Sequence, residues 1–541
     1  MIRIEEIALS LDYTEAELRR KVAAILHADL RKISDVRLFR RSLDCRRGAH
    51  YVVTVLVSAE NESRILSRLH DPNVSRAEKM RYAPPSPVPA PSVPPVVVGA
   101  GPAGLFATLL LAEAGAKPIL LERGRPVEAR QDDVARFFAS GVLNPDSNVQ
   151  FGEGGAGAFS DGKLNTGTKD VRHRYILHKL VEFGAPEEIL YDAKPHVGTD
   201  KLRTLLVRMR AHLIDRGADI RFSSCLTDVD VRDGVLAGIT VSAPGGTYTL
   251  PCERLILAPG HSARDTFQML FDRGLTMEQK AFAVGVRIEH KQSAINAVQY
   301  KEAAGHPSLP AASYKLACHL PNGRGVFSFC VCPGGQVVAA ASEEGLLATN
   351  GMSVYARDGE NINGGLLVSV TPEDFGSDNP LAGIAFQRKL ERNAFAAGGG
   401  NYVAPAQKVG DFLAGRPSES TGNISPTYCP SVRFTDLRTC LPAFVTDALA
   451  EALPLLDRKL PGFADPDAVL TAVESRSSSP VRLVRSDDGI SSIGGLYPAG
   501  EGAGYAGGII SAAVDGMKQA EAVLRTYSEK ESTVKKPASL R

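Results

Sequence analysis

The chain has 541 residues, 44% of them hydrophobic and 23% charged, which is the composition of a folded globular protein rather than a disordered one. Lys and Arg number 62 and Asp and Glu 61, and the formal charge of +1 excludes the basic surface of a dedicated nucleic-acid binder. At about 150 residues per domain, the length favours three or four domains. The 51 glycines are clustered, which suggests loops whose backbone lies against a ligand.

No segment is predicted to span a membrane. The most apolar stretch, residues 93–116, is interrupted by prolines and glycines and carries Glu113, whereas a spanning helix needs about 20 consecutive apolar residues. Residues 1–20 contain acidic side chains where a signal peptide needs an apolar stretch. Eight cysteines without a CxxC pair fit reduced thiols, so the expected location is the cytoplasm.

Residues 1–70 are predicted to form a small ferredoxin-like α+β module. Apolar periodicity predicts, in order, a strand at 2–11, a helix at 14–26, paired strands at 36–43 and 51–57, and a helix at 59–69. Residues 71–95 are predicted to be an extended linker, because seven prolines fall within 83–95. Residues 528–541 are too polar to pack and are predicted to form a frayed tail.

A dinucleotide-binding fingerprint follows the linker. Its parts are a strand at 96–98, the turn Gly99-Ala100-Gly101-Pro102-Ala103-Gly104, a helical run at 105–114, and a strand at 118–121 that ends at Glu122. The spacing from Gly99 to Glu122 is close to the expected distance of about 20 residues. We expect Gly99 to permit the tight turn, Gly101 to let the backbone approach a pyrophosphate, and Gly104 to let the helix pack on the strand. The helix N-terminus would then attract the phosphates.

Glu122 indicates which nucleotide this turn binds. Its carboxylate would accept both ribose hydroxyls of an adenosine and would repel a 2′-phosphate. NADP is therefore disfavoured at this site, and FAD and NAD are the two cofactors left open.

The segment Phe151-Gly152-Glu153-Gly154-Gly155-Ala156-Gly157 also matches GxGxxG as a pattern. It follows no apolar strand and precedes no amphipathic helix, so a second Rossmann turn is not expected. We interpret it as a glycine-lined wall that presents main-chain N–H groups to a flat ligand. A mobile surface loop is the alternative.

Two later segments complete the pattern. The apolar strand at 255–257 ends in a turn at Gly260, and a glycine-rich turn at 495–508 leads into a helix predicted at 509–524. The second turn offers Glu501 to a polyol chain. It also offers the N–H groups of residues 507–509 to a carbonyl such as the flavin C2=O.

These segments resemble a known group of proteins. VVVGAGPAGLFA, LLERG, LILAPG and GLYPAGEGAGYAGG are similar to the FAD-binding segments of the glutathione-reductase-type flavoproteins. NVQFGEGGAGAFSDGKLNT, KPHVGTDKL, FAVGVRIEH and GFADPDAVLTAVESRSSSPVR resemble a family of uncharacterised FAD-dependent dehydrogenases, also called NAD-utilising dehydrogenases. The likeness covers nearly the whole chain, including RRSLDCRR in the N-terminal module.

The resemblance implies an α/β fold in which a Rossmann-like FAD-binding domain carries an inserted α+β substrate or cap domain. The FAD-binding domain would comprise residues 96–276 and 475–527, and the cap would comprise 277–474. The superfamily usually has Asp where this chain has Glu501, whose extra methylene still allows contact with a ribityl hydroxyl through water. The residues predicted from the motifs or implied by the resemblance to bind FAD are Gly99, Gly101, Pro102, Ala103, Gly104, Glu122, Arg123, Gln150, Gly154, Gly155, Ala156, Ser160, Leu226, Gly260, Gly500, Glu501, Gly507, Gly508 and Ile509.

Missing features exclude several flavoprotein subclasses. No cysteine lies between Cys45 and Cys225, where disulfide reductases carry a CxxxxC pair, and the chain has no Trp for the halogenase motif. Aromatic hydroxylases carry an Asp-Gly pair where this chain has Ala258-Pro259-Gly260. A second complete dinucleotide fingerprint for NAD(P)H is also absent, so the sequence leaves the source of electrons open.

The cap contains the candidates for catalysis. His290 follows a strand predicted at 282–288 and is a candidate acid or base, although a structural, hydrogen-bonded His is the favoured interpretation. Arg476 is the candidate for binding an anionic or carbonyl group of the substrate, and a surface arginine is the alternative. Cys330 and Cys332 are predicted to be buried, inert thiols rather than a redox pair, since i,i+2 strand neighbours make a strained disulfide. No metal site is predicted.

The sequence therefore predicts an FAD-dependent oxidoreductase that transfers hydride between flavin N5 and a small molecule it does not identify. NAD(P)H would bind transiently, if at all, and neither membrane nor nucleic acid is an expected partner. The alternative is a flavin-bearing binding protein, such as a partner in RNA modification. Such a protein would act through the cluster Arg40, Arg41, Arg46 and Arg47 of the N-terminal module.

Overall fold

The computed structural model describes residues 1–78, 81–165, 167 and 169–534. Residues 79 and 80 of the predicted linker and residues 535–541 of the predicted tail lie outside the described residues.

The N-terminal module is a four-stranded antiparallel sheet with two helices. Its elements are β1 (Ile2–Leu9), α1 (Glu15–Ile25), β2 (Ile33–Asp44), β3 (His50–Ala59), α2 (Glu62–Arg68) and β4 (Val74–Arg76). The strand order β2-β3-β1-β4 is that of a ferredoxin-like fold, as predicted. The sheet extends past residue 70, because β4 pairs with the edge of β1 that would otherwise be unpaired. The beginning of the predicted linker is therefore part of the module.

The FAD-binding domain begins at β5. Its elements up to the cap are β5 (Val96–Val98), α3 (Pro102–Glu113), β6 (Ile119–Leu121), α4 (Val127–Ser140), α5 (Arg172–Glu182), α6 (Thr199–Asp215), β7 (Asp219–Arg221), β8 (Cys225–Arg232), β9 (Val235–Ala243), β10 (Gly246–Pro251), β11 (Leu255–Leu257) and α7 (Arg264–Asp272). Strands β8, β9 and β10 form a separate antiparallel sheet in the order β10-β9-β8.

The cap follows and is built on a seven-stranded sheet. The cap elements are β12 (Met277–Gln279), β13 (Phe282–Lys291), α8 (Gln292–Tyr300), β14 (Ala317–His319), β15 (Gly325–Cys332), β16 (Gln336–Ala339), β17 (Thr349–Met352), β18 (Asn361–Val370), α9 (Ala382–Gly398), β19 (Ala404–Lys408), α10 (Val409–Leu413), β20 (Val432–Phe434), α11 (Ala443–Asp457) and β21 (Val469–Glu474). The large sheet has the order β14-β15-β18-β13-β21-β19-β20, with only β19 and β20 parallel. Strand β13 lies at its centre and is buried almost throughout, which places the cap core around it.

The chain then returns to the FAD-binding domain through β22 (Val481–Leu483), β23 (Leu496–Pro498) and α12 (Ile509–Val534). Strand β23 completes a parallel sheet of order β23-β11-β5-β6-β7. The carboxyl ends of all five strands therefore meet at one edge, where open α/β sheets bind their ligands. The fold class predicted from the sequence is confirmed.

Helix α12 packs directly on α3 and continues beyond its predicted end. It runs to Val534, so residues 528–534 of the predicted tail are helical, in keeping with the Glu and Lys residues in this stretch, which favour helix. Among the helices in the described ranges, none is both long and apolar enough to cross a membrane.

The close contact between α3 and α12 requires a glycine at position 516, where a side chain would not fit. A Cβ built at Gly516 would lie 1.9 Å from the carbonyl oxygen of Ala103, which is backbone and cannot move aside cheaply. We predict that Gly516→Ala forces the helices apart and lowers the free energy of unfolding by about 1–3 kcal/mol, the usual cost of overpacking.

Urea denaturation of the purified protein measures this effect. Gly245→Ala is the matched control, because a Cβ at Gly245 meets nothing within 4 Å. Equal stability of the two variants would contradict the close helix contact.

Candidate active site

A single cavity opens at the carboxyl edge of the parallel sheet and extends under the cap. The predicted cofactor residues that line it are Gly99, Gly101, Pro102, Ala103, Glu122, Arg123, Gln150, Gly155, Ala156, Ser160, Leu226, Gly260, Gly500, Glu501, Gly507, Gly508 and Ile509. Gly104 and Gly154 are not among the lining residues. The cap contributes Phe329, Cys330, Asn350 and Glu474, and Arg476 follows the last cap strand. The structure thus brings together residues from both ends of the FAD-binding domain and from the cap.

The glycines of the first turn have distinct roles. Gly99 has a φ of +97°, and a Cβ there would lie 2.2 Å from the carbonyl oxygen of Ala258 on the neighbouring strand. A Cβ at Gly104 would lie 1.8 Å from the carbonyl oxygen of Gly99, so Gly104 serves helix packing rather than ligand contact. At Gly101 the nearest atom to a Cβ is 3.9 Å away, so only this glycine leaves space for a ligand. Gly101 also precedes α3 without a side-chain cap, which leaves the helix N–H groups for an anion.

The Glu122 carboxylate organises the backbone around the turn. It is buried and accepts hydrogen bonds from the main-chain N–H groups of Ala100, Gly124 and Gly152 at 2.7, 2.8 and 2.9 Å. A carboxylate has about four acceptor positions, so these bonds leave about one for a ribose hydroxyl. Glu122 therefore lies where the prediction places it, but it has too few free acceptor positions to bind both ribose hydroxyls.

The glycine-rich segment at 151–157 forms a wall of the cavity, in the manner predicted for a flat ligand. Gly155–Phe159 is a short 3₁₀-helix, and the Gly154 N–H donates to the carbonyl of Ala100 at 2.8 Å. Gly154 itself faces inward, because a Cβ there would lie 2.4 Å from the side chain of Leu206.

Arg130, which the sequence did not single out, braces this wall. Its guanidinium is completely buried and donates to the carbonyls of Asn148, Val149 and Glu153 at 2.8, 3.0 and 2.7 Å. Burial lowers its pKa to about 10, so it remains charged at neutral pH. The sequence gives no sign of this role, because a charged residue of an amphipathic helix is expected to face solvent rather than backbone carbonyls.

Leu226, Arg123 and Gln150, three residues implied by the resemblance, also line the cavity. Leu226 is buried at the start of β8 and lines the cavity. Arg123 lies over the ring of Phe151 at 4.4 Å and donates to Asp265 at 2.9 Å. Gln150 accepts a hydrogen bond from the Ser262 hydroxyl at 3.2 Å.

The far end of the cavity is formed by the last glycine-rich turn. The Gly500 N–H donates to Asp515 at 2.7 Å, which fixes the turn to α12. Burial raises the pKa of Glu501 to about 7, so its carboxyl group can donate a proton as well as accept a hydrogen bond. His261 Nδ1 lies 3.6 Å from Glu501, and burial lowers the pKa of this histidine to about 3. Gly507 and Gly508 line the cavity at the start of α12, where a Cβ on either would meet nothing within 4 Å, and the Gly507 N–H donates to the Ser511 hydroxyl at 3.2 Å.

The residues of the cavity fit FAD. Space for a pyrophosphate lies at Gly101, and a helix N-terminus free of side-chain caps adjoins it. A carboxyl group able to bind a polyol lies at Glu501, and two glycines with open space around them lie at the second helix start.

Arg476 lines the cavity, and most of its donors are bonded within the protein. Its Nε and Nη2 bond both carboxylate oxygens of Glu391 at 2.9 and 3.0 Å. Its Nη1 donates to Ser262 and Ser342 at 3.1 and 2.6 Å. These bonds use four of the five N–H donors of the buried guanidinium, which favours a positioning role, and binding of a substrate group stays a prediction.

Glu391, which lies in a cap helix, is shared by two arginines from distant parts of the chain. Arg264 of α7 forms a second two-point contact with it, at 2.8 Å for both bonds, and also donates to Glu343 at 2.6 Å. The Ser475 hydroxyl donates to the same carboxylate at 2.7 Å. The two arginines lower the pKa of the Glu391 carboxyl far below its usual value, against the effect of burial, so it stays ionised.

His290 does not line the cavity, so nothing in the structure supports the catalytic role considered for it. It is buried in the cap core, where Nε2 bonds the carbonyl of Phe463 at 2.8 Å and the ring packs near Tyr314. Burial lowers its pKa, so it is neutral. The favoured structural interpretation of this histidine matches its environment.

Lys163 and Cys330 are cavity residues that the sequence did not assign to a function. The Lys163 ammonium pairs with Asp161 at 3.1 Å, and Asp161 also binds Arg357. Cys330, predicted to be buried and inert, borders the cavity instead. The sequence DGKLN, directly after the glycine-rich segment, is the feature from which a role for Lys163 could have been predicted. Across the described ranges, no group of three or more His, Cys, Asp or Glu side chains is placed to hold a metal ion, and the absence of a metal stays a prediction.

The space at Gly101 gives a sharp test of cofactor binding. We predict that Gly101→Ala leaves the apoprotein folded and weakens FAD binding at least tenfold, about 1.4 kcal/mol, because the methyl group occupies the pyrophosphate position. Titration of the apoprotein with FAD, followed by flavin fluorescence, measures this change.

Gly104→Ala is the matched control from the same turn. Its methyl group meets backbone, so this variant loses stability even without FAD. Unchanged FAD affinity in Gly101→Ala would show that the pyrophosphate does not lie at this turn.

The shared carboxylate gives a second test. We predict that Glu391→Gln lowers the free energy of unfolding by about 3–5 kcal/mol, because two buried guanidiniums lose their charge partner. The depressed pKa means that this contribution is complete above the usual pKa of 4.5 and declines as the pH falls below it.

Urea denaturation between neutral and acidic pH measures both effects. The exposed neighbour Glu344→Gln is the control and is expected to change stability little. A small, pH-independent loss in Glu391→Gln would contradict the role assigned to this carboxylate.

Comparisons with known proteins agree with the geometry of the site. A family model described as FAD-dependent protein, C-terminal domain-like, matches residues 281–477, and one described as FAD binding domain matches residues 92–132. A domain of unknown function matches residues 1–58.

Several solved flavoprotein structures are similar to this chain at low identity, and likenesses this distant carry no argument about its fold or its reaction. A variant of the flavin-dependent brominase Bmp2 is 12% identical, covers 80% of each chain and has a TM-score of 0.36. The quinol fumarate reductase of E. coli is 12% identical, with 84% of this chain and 72% of that one covered and a TM-score of 0.35. The glycerol-3-phosphate dehydrogenase of Bacillus halodurans, complexed with FAD, is 12% identical, with 81% and 65% covered and a TM-score of 0.33.

One relative is similar over almost its whole length. An uncharacterized protein of Clostridium beijerinckii is 48% identical over 532 residues, which cover 97% of this chain and 99% of the relative. Together with the two FAD-related models, this places the chain in the same family as the Clostridium protein, a family of FAD-dependent flavoproteins with FAD as the cofactor.

Proposed function

We propose that the protein is an FAD-dependent oxidoreductase that transfers hydride between flavin N5 and a small organic molecule. The observation that carries this proposal is the composition of the cavity, whose walls come from the FAD motifs and from the cap alike. A pocket closed over a cofactor by a second domain is the usual arrangement for substrates that react at that cofactor.

The chain would hold the cofactor at three places. The first helix start and Gly101 would hold the pyrophosphate, and Glu122 would bind the adenosine ribose with its remaining acceptor position. Glu501 and the start of α12 would hold the ribityl chain and the flavin carbonyl. Bound FAD would supply the hydride acceptor or donor of the reaction.

The cap would exclude water and position the substrate. Ion pairs of Glu391 with Arg264 and Arg476 connect the cap to the FAD-binding domain at the cavity wall. Lys163 keeps a positive charge in the cavity, because nearby Asp161 and the two thiols raise its pKa against the effect of burial. Such a charge would stabilise negative charge that develops on the flavin or on a substrate carbonyl.

The alternative, an RNA-modification partner that acts through the N-terminal arginines, is not favoured by their contacts. Arg41 pairs with Asp192 at 2.9 Å and lies beside the rings of Tyr51 and Tyr191, so it fastens the module to the FAD-binding domain. Arg46 pairs with Asp44 at 2.5 Å. Two of the four arginines are thus already paired with carboxylates, and copurification of RNA would revive this alternative.

Electron exchange with nicotinamide cofactors gives a direct test. Within the described ranges, the one all-parallel sheet is the sheet that carries the FAD motifs, so NAD(P)H has no second Rossmann domain to bind. We predict slow flavin reduction by NADH and NADPH, with no saturation at micromolar concentrations.

Anaerobic stopped-flow absorbance of the FAD-loaded protein measures this rate. A metabolite screen for substrate-dependent flavin bleaching under the same conditions would identify the hydride partner. Fast reduction that saturates tightly with either nucleotide would show a specific nicotinamide site and contradict the prediction.

A further inference from the structure

Cys330 lines the cavity, and Cys332 lies two residues further along β15. Cys330 shares the cavity with Glu501 and the start of α12, and it contributes to the raised pKa of the Glu501 carboxyl. Cys332 is completely buried. The pair therefore combines one thiol beside the cofactor with one thiol out of reach of solvent.

The backbone at these cysteines departs from a regular strand. Phe329 pairs with Gly365 and Cys332 with Asn363, so three steps along β15 correspond to two along β18, which is a β-bulge. Cys330 has a φ of +40°, a left-handed conformation uncommon for a residue with a side chain. The Cys332 thiol lies 3.3 Å from the carbonyl oxygen of Cys330. The prediction of inert thiols assumes that side chains alternate regularly along the strand, and the bulge breaks that alternation.

Positive charges surround the pair. Arg287 is completely buried, donates to the Cys330 carbonyl at 2.8 Å, and pairs with Glu474 at 2.6 Å. A direct interaction with the Cys332 thiol, together with Lys163 and Arg287, lowers the pKa of Cys330 well below its usual range. The same interaction raises the pKa of Cys332. The positive charges of Lys163 and Arg287 favour the thiolate form at this pair, and the thiolate is the reactive form of cysteine.

We propose that Cys330 and Cys332 form a redox-active dithiol–disulfide pair that exchanges two electrons with the bound FAD. On oxidation, the two thiols lose two protons and two electrons and one S–S bond forms. The electrons and protons pass to FAD, giving FADH2. In the reverse direction the S–S bond breaks and both thiols are restored. A disulfide between residues so close in sequence is strained, and strained disulfides are the easily reduced, catalytic ones.

This proposal depends on FAD as the cofactor and not on the identity of the hydride partner. The pair gives the flavin a store of two electrons inside the protein. Such a store suits this chain, because the described residues contain no second Rossmann sheet that could bind NAD(P)H. It also differs from the arrangement in disulfide reductases, whose cysteines follow the first Rossmann unit, because here both cysteines come from the cap.

Counting reducing equivalents in the air-oxidised, FAD-loaded protein tests the proposal. Anaerobic titration with dithionite is expected to consume twice as much reductant per FAD in the wild type as in Cys330→Ser or Cys332→Ser. Cys318→Ser, a buried thiol that does not line the cavity, is the control and should behave as the wild type.

Differential alkylation of the wild type followed by peptide mass spectrometry needs no variant and stands if either serine variant fails to fold. The peptide that contains both cysteines should resist alkylation after air oxidation, be lighter by two hydrogens, and take up two labels after dithionite. Full alkylation of both thiols before reduction, with equal dithionite consumption in wild type and variants, would overturn the proposal. Substrate-dependent flavin bleaching that persists in Cys330→Ser would then leave the oxidoreductase function standing without it.

Discussion

The cavity exists because one buried carboxylate, Glu391, joins two domains. It lies on a cap helix and is fully buried between Arg264, which begins the helix after the middle FAD strand, and Arg476, which follows the last cap strand. An ionised carboxylate with two guanidiniums is tolerable in the interior only when every partner is present, since removing one leaves an uncompensated charge. The cap can therefore not shift against the FAD-binding domain without breaking several charged hydrogen bonds at once. This rigidity keeps the cap residues in register with the cofactor motifs.

Buried charged side chains also hold the cofactor turn in place, where they form hydrogen bonds with backbone groups. Glu122 accepts three main-chain N–H bonds, and Arg130 donates to three main-chain carbonyls. Between them they fix two glycine-rich segments that have few side chains of their own with which to pack. Glycine lets the backbone approach a ligand closely, but it also makes a loop costly to order. Two buried ionic side chains offset that cost, so the walls are preformed.

The sequence predicted what is local and missed what depends on distant partners. The strand, turn, helix and strand from Val96 to Glu122 could be identified because each step has its own residue pattern. The role of Arg476 could not, because its partner Glu391 is 85 residues away and only the fold brings them together. His290 lies in strand β13, whose sequence gives no sign that both faces of the strand are buried. Strand β4 was missed because Val74–Arg76 is short, partly polar, and becomes a strand only against β1.

The bulge at Cys330 shows why the cap needs an irregular strand next to the flavin. A regular β15 would alternate its side chains between the cap core and the opposite face, and would keep the two cysteines apart along one face. The extra residue turns Cys330 toward the cavity while Val331 and Cys332 stay buried. The carbonyl displaced from the ladder by this turn is bound by Arg287, whose charge is balanced by Glu474 on the neighbouring strand β21. A buried ion pair inside the cap sheet thus stabilises the bulge that places Cys330 at the cavity, so the core of the sheet and the cavity wall are parts of one arrangement.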